Sequence, residues 1–315
     1  MDFFLDVLID SLWDTLELVP FLFLTYLAME ALEHGAAGKA EKIVREAGKA
    51  GPAVGALLGA LPQCGFSAMA ATLYAGRVVT AGTLVAVILA TSDEMLPVFL
   101  AHQEAPARML AILLIKIVCG IVLGFAVDAV LRLLHRAGDG YAHIHELCER
   151  EHCECDECEE EEPSDAPVHG HHRHHHEDGR HGRLWHIARS ALIHTAQVTA
   201  FIFLITFLFG LMIEGVGSDA LAQILADHPV RAIFLSALVG MIPNCGASVT
   251  ISELFLDGTL STPAMLAGLL SAGGVGLLVL FRTNANMRQN IAIAAFIYVA
   301  GVALGLLAAM LGIVI

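Results

Sequence analysis

The chain has little charge and few aromatic side chains for its length. Of its 315 residues, 16% are charged and 7% are aromatic. Soluble globular proteins carry about 25% charged residues, so this composition excludes that class. Disordered chains combine high charge with low hydrophobicity, and they are excluded for the same reason. With only 17 lysines and arginines, the chain also lacks the basic surface of a nucleic-acid-binding protein.

Three further features are absent. The sequence contains no GxxxxGK[ST] motif, which excludes ATP hydrolysis by a P-loop in this chain. The first residues, MDFFLDVLID, contain no basic stretch and no small-residue cleavage site, so we predict a retained membrane helix and not a signal peptide. Four of the seven cysteines crowd into 148–158 and the other three lie in apolar stretches, which excludes a disulfide framework.

What the chain does have is long apolar segments. Hydrophobic residues make up 57% of it, and its mean hydropathy is +0.70. A membrane-spanning helix needs about 20 apolar residues, so the sequence predicts an all-α polytopic membrane protein. The domains are a first membrane repeat (1–136), a polar linker (137–188) and a second membrane repeat (189–315). The predicted segments are 9–33, 52–75, 79–101, 108–134, 190–215, 230–256, 262–281 and 291–315.

The four segments before the linker repeat after it. LPQCGFS at 61–67 matches IPNCGAS at 242–248 with a shift of 181 residues. Gly120 and Gly124 match Gly301 and Gly305 with the same shift. Two longer stretches match with shifts of 180 and 182 residues: 11–24 with 191–204, and 80–99 with 262–281. A nearly constant shift indicates internal duplication, and the small-residue spacing of the glycines indicates close helix packing.

The second segment of each half carries proline and glycine near its middle. Pro62 and Gly65 interrupt the first, and Pro243 and Gly246 interrupt the second. Proline removes a backbone donor and glycine permits unusual torsions, so we expect each helix to break there. Broken backbone at membrane depth must be buried in protein or line a cavity. Each segment is therefore one broken span or a re-entrant hairpin.

The basic residues favour hairpins, and hence inverted halves. With two hairpins, each half crosses three times, and one side carries only Arg108 and Arg231. Single spans would give parallel halves and would move Arg77, Arg132, Arg136 and Arg189 to the outer side, which fits the positive-inside rule less well. The linker side would then be cytoplasmic, with both termini outside. Besides the linker, that side carries Lys39, Lys42, Arg45, Lys49, Arg77, Arg132, Arg136, Arg189, Arg282 and Arg288.

Each of the two breaks carries an amide, a thiol and a hydroxyl. Inverted halves would bring the breaks together near the bilayer centre, where these groups and the free backbone form an ion or metalloid site. The structural alternative is a break that lets two hairpins pack closely, with the amides satisfying backbone groups. The side chains are Gln63, Cys64 and Ser67 in the first break, and Asn244, Cys245 and Ser248 in the second.

Two adjacent carboxylates lie inside the third segment. Asp93 and Glu94 follow Ser92 in an apolar run, and the matching stretch of the second half is glycine-rich, 273–276. Hard divalent cations such as Mn²⁺ prefer oxygen ligands, so Ser92, Asp93 and Glu94 are candidate cargo ligands. Either carboxylate can also exchange a proton with the cargo. The alternative is an ion pair with Lys116, which as a counter-ion would keep the empty site tolerable.

A third polar group lies early in the first segment of each half. Asp14 and Glu17 share a helix face, as do His194 and Gln197 at the matching positions. Their matched placement makes Asp14, Glu17 and His194 candidate ligands. Asp14 is about 8 Å from the predicted helix start at 1.5 Å per residue, so an ordinary interfacial position fits equally well.

The linker holds most of the soft metal ligands. Residues 143–186 contain eleven of the 16 histidines and four of the seven cysteines. Thiolates and imidazoles bind Zn²⁺, Cu⁺ and Ni²⁺, so we expect metal contact here. The alternative is a disordered tether that binds metal adventitiously. The candidate ligands are Cys148, His152, Cys153, Cys155, Cys158, His171, His172, His174, His175 and His176.

Together these features resemble the ten-span heavy-metal exporters. LPQCGFS, IPNCGAS, the TSDEM stretch at 91–95 and the His-, Cys- and acid-rich centre carry the resemblance. Family members are bacterial membrane proteins labelled arsenic efflux proteins or manganese transporters. The resemblance implies efflux across the bacterial cytoplasmic membrane, with ten spans if each interrupted segment counts as two. It does not fix the cargo, because the two labels name chemically different substrates.

The residues favour a divalent cation over arsenite as cargo. Arsenite needs several converging thiolates, and the membrane segments offer only Cys64, Cys119 and Cys245. Carboxylates, amides and an imidazole, which suit Mn²⁺, are more numerous there. The thiolates and imidazoles of the linker instead favour softer metals than Mn²⁺.

The sequence therefore predicts a transporter and not an enzyme. It would be a secondary active exporter in the lipid bilayer, with Mn²⁺ as favoured cargo, no required cofactor and no nucleic-acid partner. Proton coupling through Asp93 or Glu94 is a hypothesis. The alternatives are an arsenite or heavy-metal efflux permease, a membrane thiol-redox protein using Cys64 and Cys245, and a metal sensor acting through the linker.

Overall fold

The protein is helical wherever its structure is described. A computed structural model describes residues 2–35, 50–63, 65–92, 95–134, 180–216 and 228–313. These residues form helices and turns, and no strand occurs among them. The all-α prediction is confirmed. The linker ligands lie outside the described residues.

Each half contributes six helices to the described part of the chain. The first half contains α1 (Asp2–Gly35), α2 (Gly51–Gly59), α3 (Gly65–Ala75), α4 (Ala81–Ala90), α5 (Met95–Ala101) and α6 (Pro106–Leu133). The second half contains α7 (Arg180–Val216), α8 (Pro229–Gly240), α9 (Cys245–Leu256), α10 (Thr262–Ser271), α11 (Gly274–Thr283) and α12 (Met287–Met310). The order of long and short helices is the same in both halves.

The helices have the length and surface of membrane spans. On α6, Leu114, Val118 and Val122 are each at least half exposed at a spacing of four residues, which gives an apolar stripe suited to lipid. The protein is therefore a polytopic membrane protein, as predicted. Within the described residues, five segments are long and apolar enough to cross a membrane: Ala81–Ala101, Pro106–Leu133, Ala191–Leu208, Thr262–Thr283 and Met287–Met310.

The third segment of each half is broken as well, where the sequence suggested a single span. At the end of α4 the Thr91 hydroxyl donates to Val87 O at 2.8 Å and the Ser92 hydroxyl donates to Ala90 O at 3.0 Å. These side chains compete with the backbone for the last carbonyls of the helix. Between α10 and α11 the chain turns at Gly274, whose φ of +44° suits glycine.

The innermost helices are α4 and α10. Every residue of α4 from Gly82 to Ala90 is buried, and α10 is buried over nearly its whole length. Helix α4 packs between α2 and α6, and α10 packs between α8 and α12. Since both are apolar on all sides, each needs protein around its full circumference. Helices α4 and α10 thus form the centre of the molecule.

The first helices of the two halves, α1 and α7, pack against each other in opposite directions. Near the start of α1, Phe4 contacts Phe207 with ring centroids 5.3 Å apart. One turn later, Val7 lies beside Gly210. The start of α1 therefore meets the last turns of α7, and because these two helices share a longer contact than any other described helix pair, α1 runs back along α7. The inverted relation of the two halves remains a prediction.

The paired glycines of α6 and α12 lie where helices touch. A Cβ on Gly124 would lie 2.7 Å from Gly82 O, and one on Gly120 would lie 2.8 Å from Ala86 O. Gly301 and Gly305 meet Ala267 of α10 in the same way. The close packing predicted from their spacing is confirmed, and it joins the third and fourth segments of each half.

A buried carboxylate, Asp128 of α6, caps the start of α4. Its two oxygens accept hydrogen bonds from the Thr80 hydroxyl at 2.7 Å and from Gly82 N at 2.8 Å. The Thr80 oxygen in turn accepts from Thr83 N at 3.1 Å. First-turn N–H groups of a helix need such partners. Nothing in the sequence pattern singled out Asp128.

We expect Asp128→Ala to destabilise the protein by roughly 1.5–3 kcal/mol, because a carboxylate acceptor is lost and the buried Gly82 N is left without its partner. Thermal unfolding in detergent, followed by circular dichroism, measures the change. The control is Asp257→Ala, which removes an exposed carboxylate at the end of α9. Equal melting temperatures for the two variants would contradict the capping role.

Candidate functional site

The break in the second half is organised around Asn244. Its backbone is extended, and its Oδ1 accepts a hydrogen bond from Gly246 N at 2.6 Å, which caps the start of α9. Its Nδ2 donates to Thr206 O of α7 at 2.9 Å. Asn244 is 8% exposed, so the amide fixes the break against α7 in a buried position. The backbone of Cys245 begins α9 directly beside it.

The break in the first half lies against the second half. Gln63 is half-buried, and its backbone N donates to Leu61 O at 2.7 Å. One turn into α3, Ser67 is buried and packs on Gly276 of α11. A Cβ on Gly276 would lie 2.7 Å from Ser67 Cβ. The two backbones can approach this closely only because residue 276 is glycine.

Within each half the two breaks are neighbours. A Cβ on Gly59, at the end of α2, would lie 3.0 Å from Val87 Cα, one turn before the end of α4. At the matching place, a Cβ on Gly240 would lie 2.8 Å from Ser271 Oγ. The Ser271 hydroxyl also donates to Ala237 O at 2.8 Å, which ties α10 to α8.

Lys116 of α6 connects the breaks of the third segments across the two halves. Its side chain is 1% exposed. The ammonium donates to Thr91 O at the end of α4 and to Leu269 O of α10 at 2.9 Å. A further cross-half contact brings the break at Gly273 against Ile88 of α4. The four breaks therefore cluster around the centre of the molecule.

Ser92 is a candidate ligand that lies at this centre. It is 1% exposed and follows Thr91, whose carbonyl binds Lys116. Its hydroxyl proton goes to Ala90 O, which leaves oxygen lone pairs to accept a bond or a cation. Asp93 and Glu94 are next in sequence and lie outside the described residues, so their pairing with Lys116 remains a prediction.

The remaining candidates in the membrane segments are Asp14, Glu17, Cys64, Cys245 and His194. On α1, Asp14 is half-buried and Glu17 is exposed. Cys64 lies outside the described residues, and for Cys245 and His194 only the backbone is described. Among the residues that are described, no three His, Cys, Asp or Glu side chains form a group able to hold a metal ion.

Two features of this site were not predicted from the sequence. The break at 272–273 had only a glycine-rich signal, in Ala-Gly-Gly. The two carbonyl partners of Lys116 had no signal, because backbone groups at helix ends leave no mark on residue identity. Lys116 itself could be found as a lysine in an apolar segment, where charge is costly and usually functional.

A comparison with family models identifies the family of this chain. A family described as "Putative, 10TM heavy-metal exporter" matches residues 1–195, which is more than half of the chain. The chain belongs to this family. The match confirms the resemblance seen in the sequence and supports metal export across a membrane as the general function. No curated protein and no solved structure matches the chain.

The family match includes most of the site in the exporter's first half. The break at 61–65, Ser92 and Lys116 lie within the matched residues, as does the linker. The break at 242–246 and the turn at 272–273 lie beyond them. The evidence that the second half takes part in the site is therefore structural: Leu269 O binds Lys116, and Gly276 contacts Ser67.

Proposed function

We propose that the exporter moves divalent metal cations, Mn²⁺ first, out of the cell by alternating access. The supporting observation is the cluster of four helix breaks, joined across the halves by Lys116 and by the contact of Ser67 with Gly276. Broken helices at the interface of two repeats are where secondary transporters bind ions. The cargo binds here, between two bodies that can rock about it.

The donors around the breaks suit a hard cation. Backbone carbonyls, the Ser92 hydroxyl and the Asn244 amide are oxygen ligands, and Asp93 and Glu94 would add carboxylates. Mn²⁺ prefers such a set, whereas softer metals prefer thiolate and imidazole. The metal leaves in exchange for protons carried by Asp93 or Glu94.

The orientation belongs to the same proposal. The antiparallel packing of α1 and α7 supports inverted halves. The basic residues then place the linker in the cytoplasm of a bacterium, with both termini outside. There the linker collects metal for the membrane site.

Purified full-length exporter in liposomes tests this function. Initial flux would be measured for Mn²⁺, Zn²⁺, Ni²⁺ and arsenite, with and without a pH gradient. We expect Mn²⁺ flux at least tenfold above that of protein-free liposomes, and we expect the gradient to accelerate it. Absence of flux for every substrate would contradict the proposal. A flux that is the same with and without the pH gradient would show that transport is not coupled to protons.

Arsenite is the second candidate because each Pro-amide-Cys-Gly break carries a cysteine, Cys64 and Cys245. Cys119 of α6, half-buried, is a third thiol in the membrane segments. Arsenite flux that disappears in Cys64→Ser/Cys245→Ser, without Mn²⁺ flux in the unmodified protein, would favour this candidate.

A further inference from the structure

The position of Lys116 is unusual for a lysine. It is the eleventh residue of α6, about 15 Å along the axis at 1.5 Å per residue. The hydrocarbon core of a bilayer is about 30 Å thick, so Lys116 lies near its middle. With 1% exposure, its side chain cannot reach the interface as lysines near helix ends do. An ammonium in such a place is costly and marks a functional position.

Two partners of the Lys116 ammonium are backbone carbonyls, which are groups that bind cations. Thr91 O and Leu269 O belong to the C-terminal ends of α4 and α10, one from each half. Helix C-termini carry partial negative charge, and their last carbonyls lack partners within the helix. In broken membrane helices, the same kind of carbonyl coordinates transported cations. The Lys116 ammonium thus occupies a cation-binding position.

We propose that Lys116 is a tethered cation that fills a cargo subsite while the exporter is empty. When the metal binds, the carbonyls of Thr91 and Leu269 pass from the ammonium to the metal. The proposal rests on the metal export proposed above. It assigns these two carbonyls as cargo ligands and Lys116 as the internal competitor.

The proposal has a kinetic consequence. Two converging carbonyl dipoles without a cation are unfavourable in a buried site, so an empty carrier needs the ammonium in order to change conformation. A loaded carrier has the metal instead. Removing Lys116 should therefore slow the return of the empty carrier and leave the loaded step intact. A purely structural cap would affect both steps alike.

Net export and metal exchange separate the two roles. Full-length protein in liposomes would be tested with Mn²⁺ alone as the probe, for net flux from one side and for exchange with Mn²⁺ on both sides. For Lys116→Met we expect net flux to fall more than tenfold and exchange to stay within twofold. The Kd for Mn²⁺ should fall at least fivefold, because the competitor is gone.

Two further variants complete the test. Ile112→Met changes a buried residue one turn away on α6 and should alter neither mode. Lys116→Gln repeats the loss of charge with a side chain that can still donate to a carbonyl, and should behave as Lys116→Met does. Folding would be checked by size-exclusion chromatography and thermal unfolding.

Several results would overturn the proposal. The proposal is wrong if net flux and exchange fall together in the Lys116 variants. It is also wrong if both stay at the level of the unmodified protein. Unfolding of both variants but not of Ile112→Met would make Lys116 a structural cap. If the unmodified protein carries Mn²⁺ in neither mode, the proposed function is wrong. The proposal for Lys116, which rests on that function, is then wrong as well.

Discussion

Replacing Asp93 and Glu94 together by Asn and Gln is expected to reduce Mn²⁺ transport at least a hundredfold. The amides keep the shape and an oxygen of each side chain but remove both negative charges. A hundredfold loss corresponds to about 2.8 kcal/mol, a modest share of what two carboxylates contribute to a buried divalent cation. The pair follows Ser92 directly in the sequence, and its position in the repeat corresponds to the glycine-rich stretch 273–276.

The measurement is the initial rate of Mn²⁺ flux in liposomes over a range of concentrations. The matched control is Glu253→Gln/Asp257→Asn, which neutralises two exposed carboxylates at the end of α9. It should transport within twofold of the unmodified protein. Transport by the Asp93/Glu94 variant at the control's rate would show that these two carboxylates are not cargo ligands.

Gly276→Val should also have a large effect, because it forces apart the two halves at a close backbone contact. A Cβ at this position meets Ser67 Cβ at 2.7 Å and Ser67 O at 3.0 Å. The backbone oxygen cannot move aside as a flexible side chain can. Overpacking of this kind costs roughly 1–3 kcal/mol. We expect a lower melting temperature and more than tenfold slower Mn²⁺ flux.

The contact itself can be tested by a double-mutant cycle. Ser67→Gly removes the atom that a new Cβ would strike, so Gly276→Ala combined with Ser67→Gly should be more stable than the sum of the single changes predicts. Ala292→Val, which adds the same bulk to an exposed face of α12, should change neither stability nor flux. Additive effects in the cycle would show that the two residues do not touch.

The membrane class and the positions of the helices could be predicted from sequence because both depend on local composition. Apolar runs of spanning length, and proline with glycine at 62–65 and 243–246, act on their own backbone. The helices overlap the predicted segments, and both of these breaks are present. The glycines at 120 and 124 could be interpreted because their spacing alone defines a packing face.

The contacts between halves could not be predicted in this way. Asn244 was a candidate ligand by residue type, but its use as a cap and as a donor to Thr206 O depends on where α7 lies. The capping role of Asp128 depends on the start of α4 lying beside α6. The carbonyl partners of Lys116 are backbone groups that only the fold brings together. Each of these needs long-range geometry that periodicity does not contain.

The most direct test of Mn²⁺ export through the Asp93 and Glu94 site is the metal content of cells. Cells making the unmodified exporter, the Asp93→Asn/Glu94→Gln variant or no exporter would be loaded in parallel with Mn²⁺, Zn²⁺, Ni²⁺ and arsenite, and each element measured by mass spectrometry. We expect the unmodified exporter to lower cell manganese severalfold, and we expect cells with the variant to match cells without the exporter. Manganese levels that are equal in all three, or raised by the exporter, would contradict this expectation.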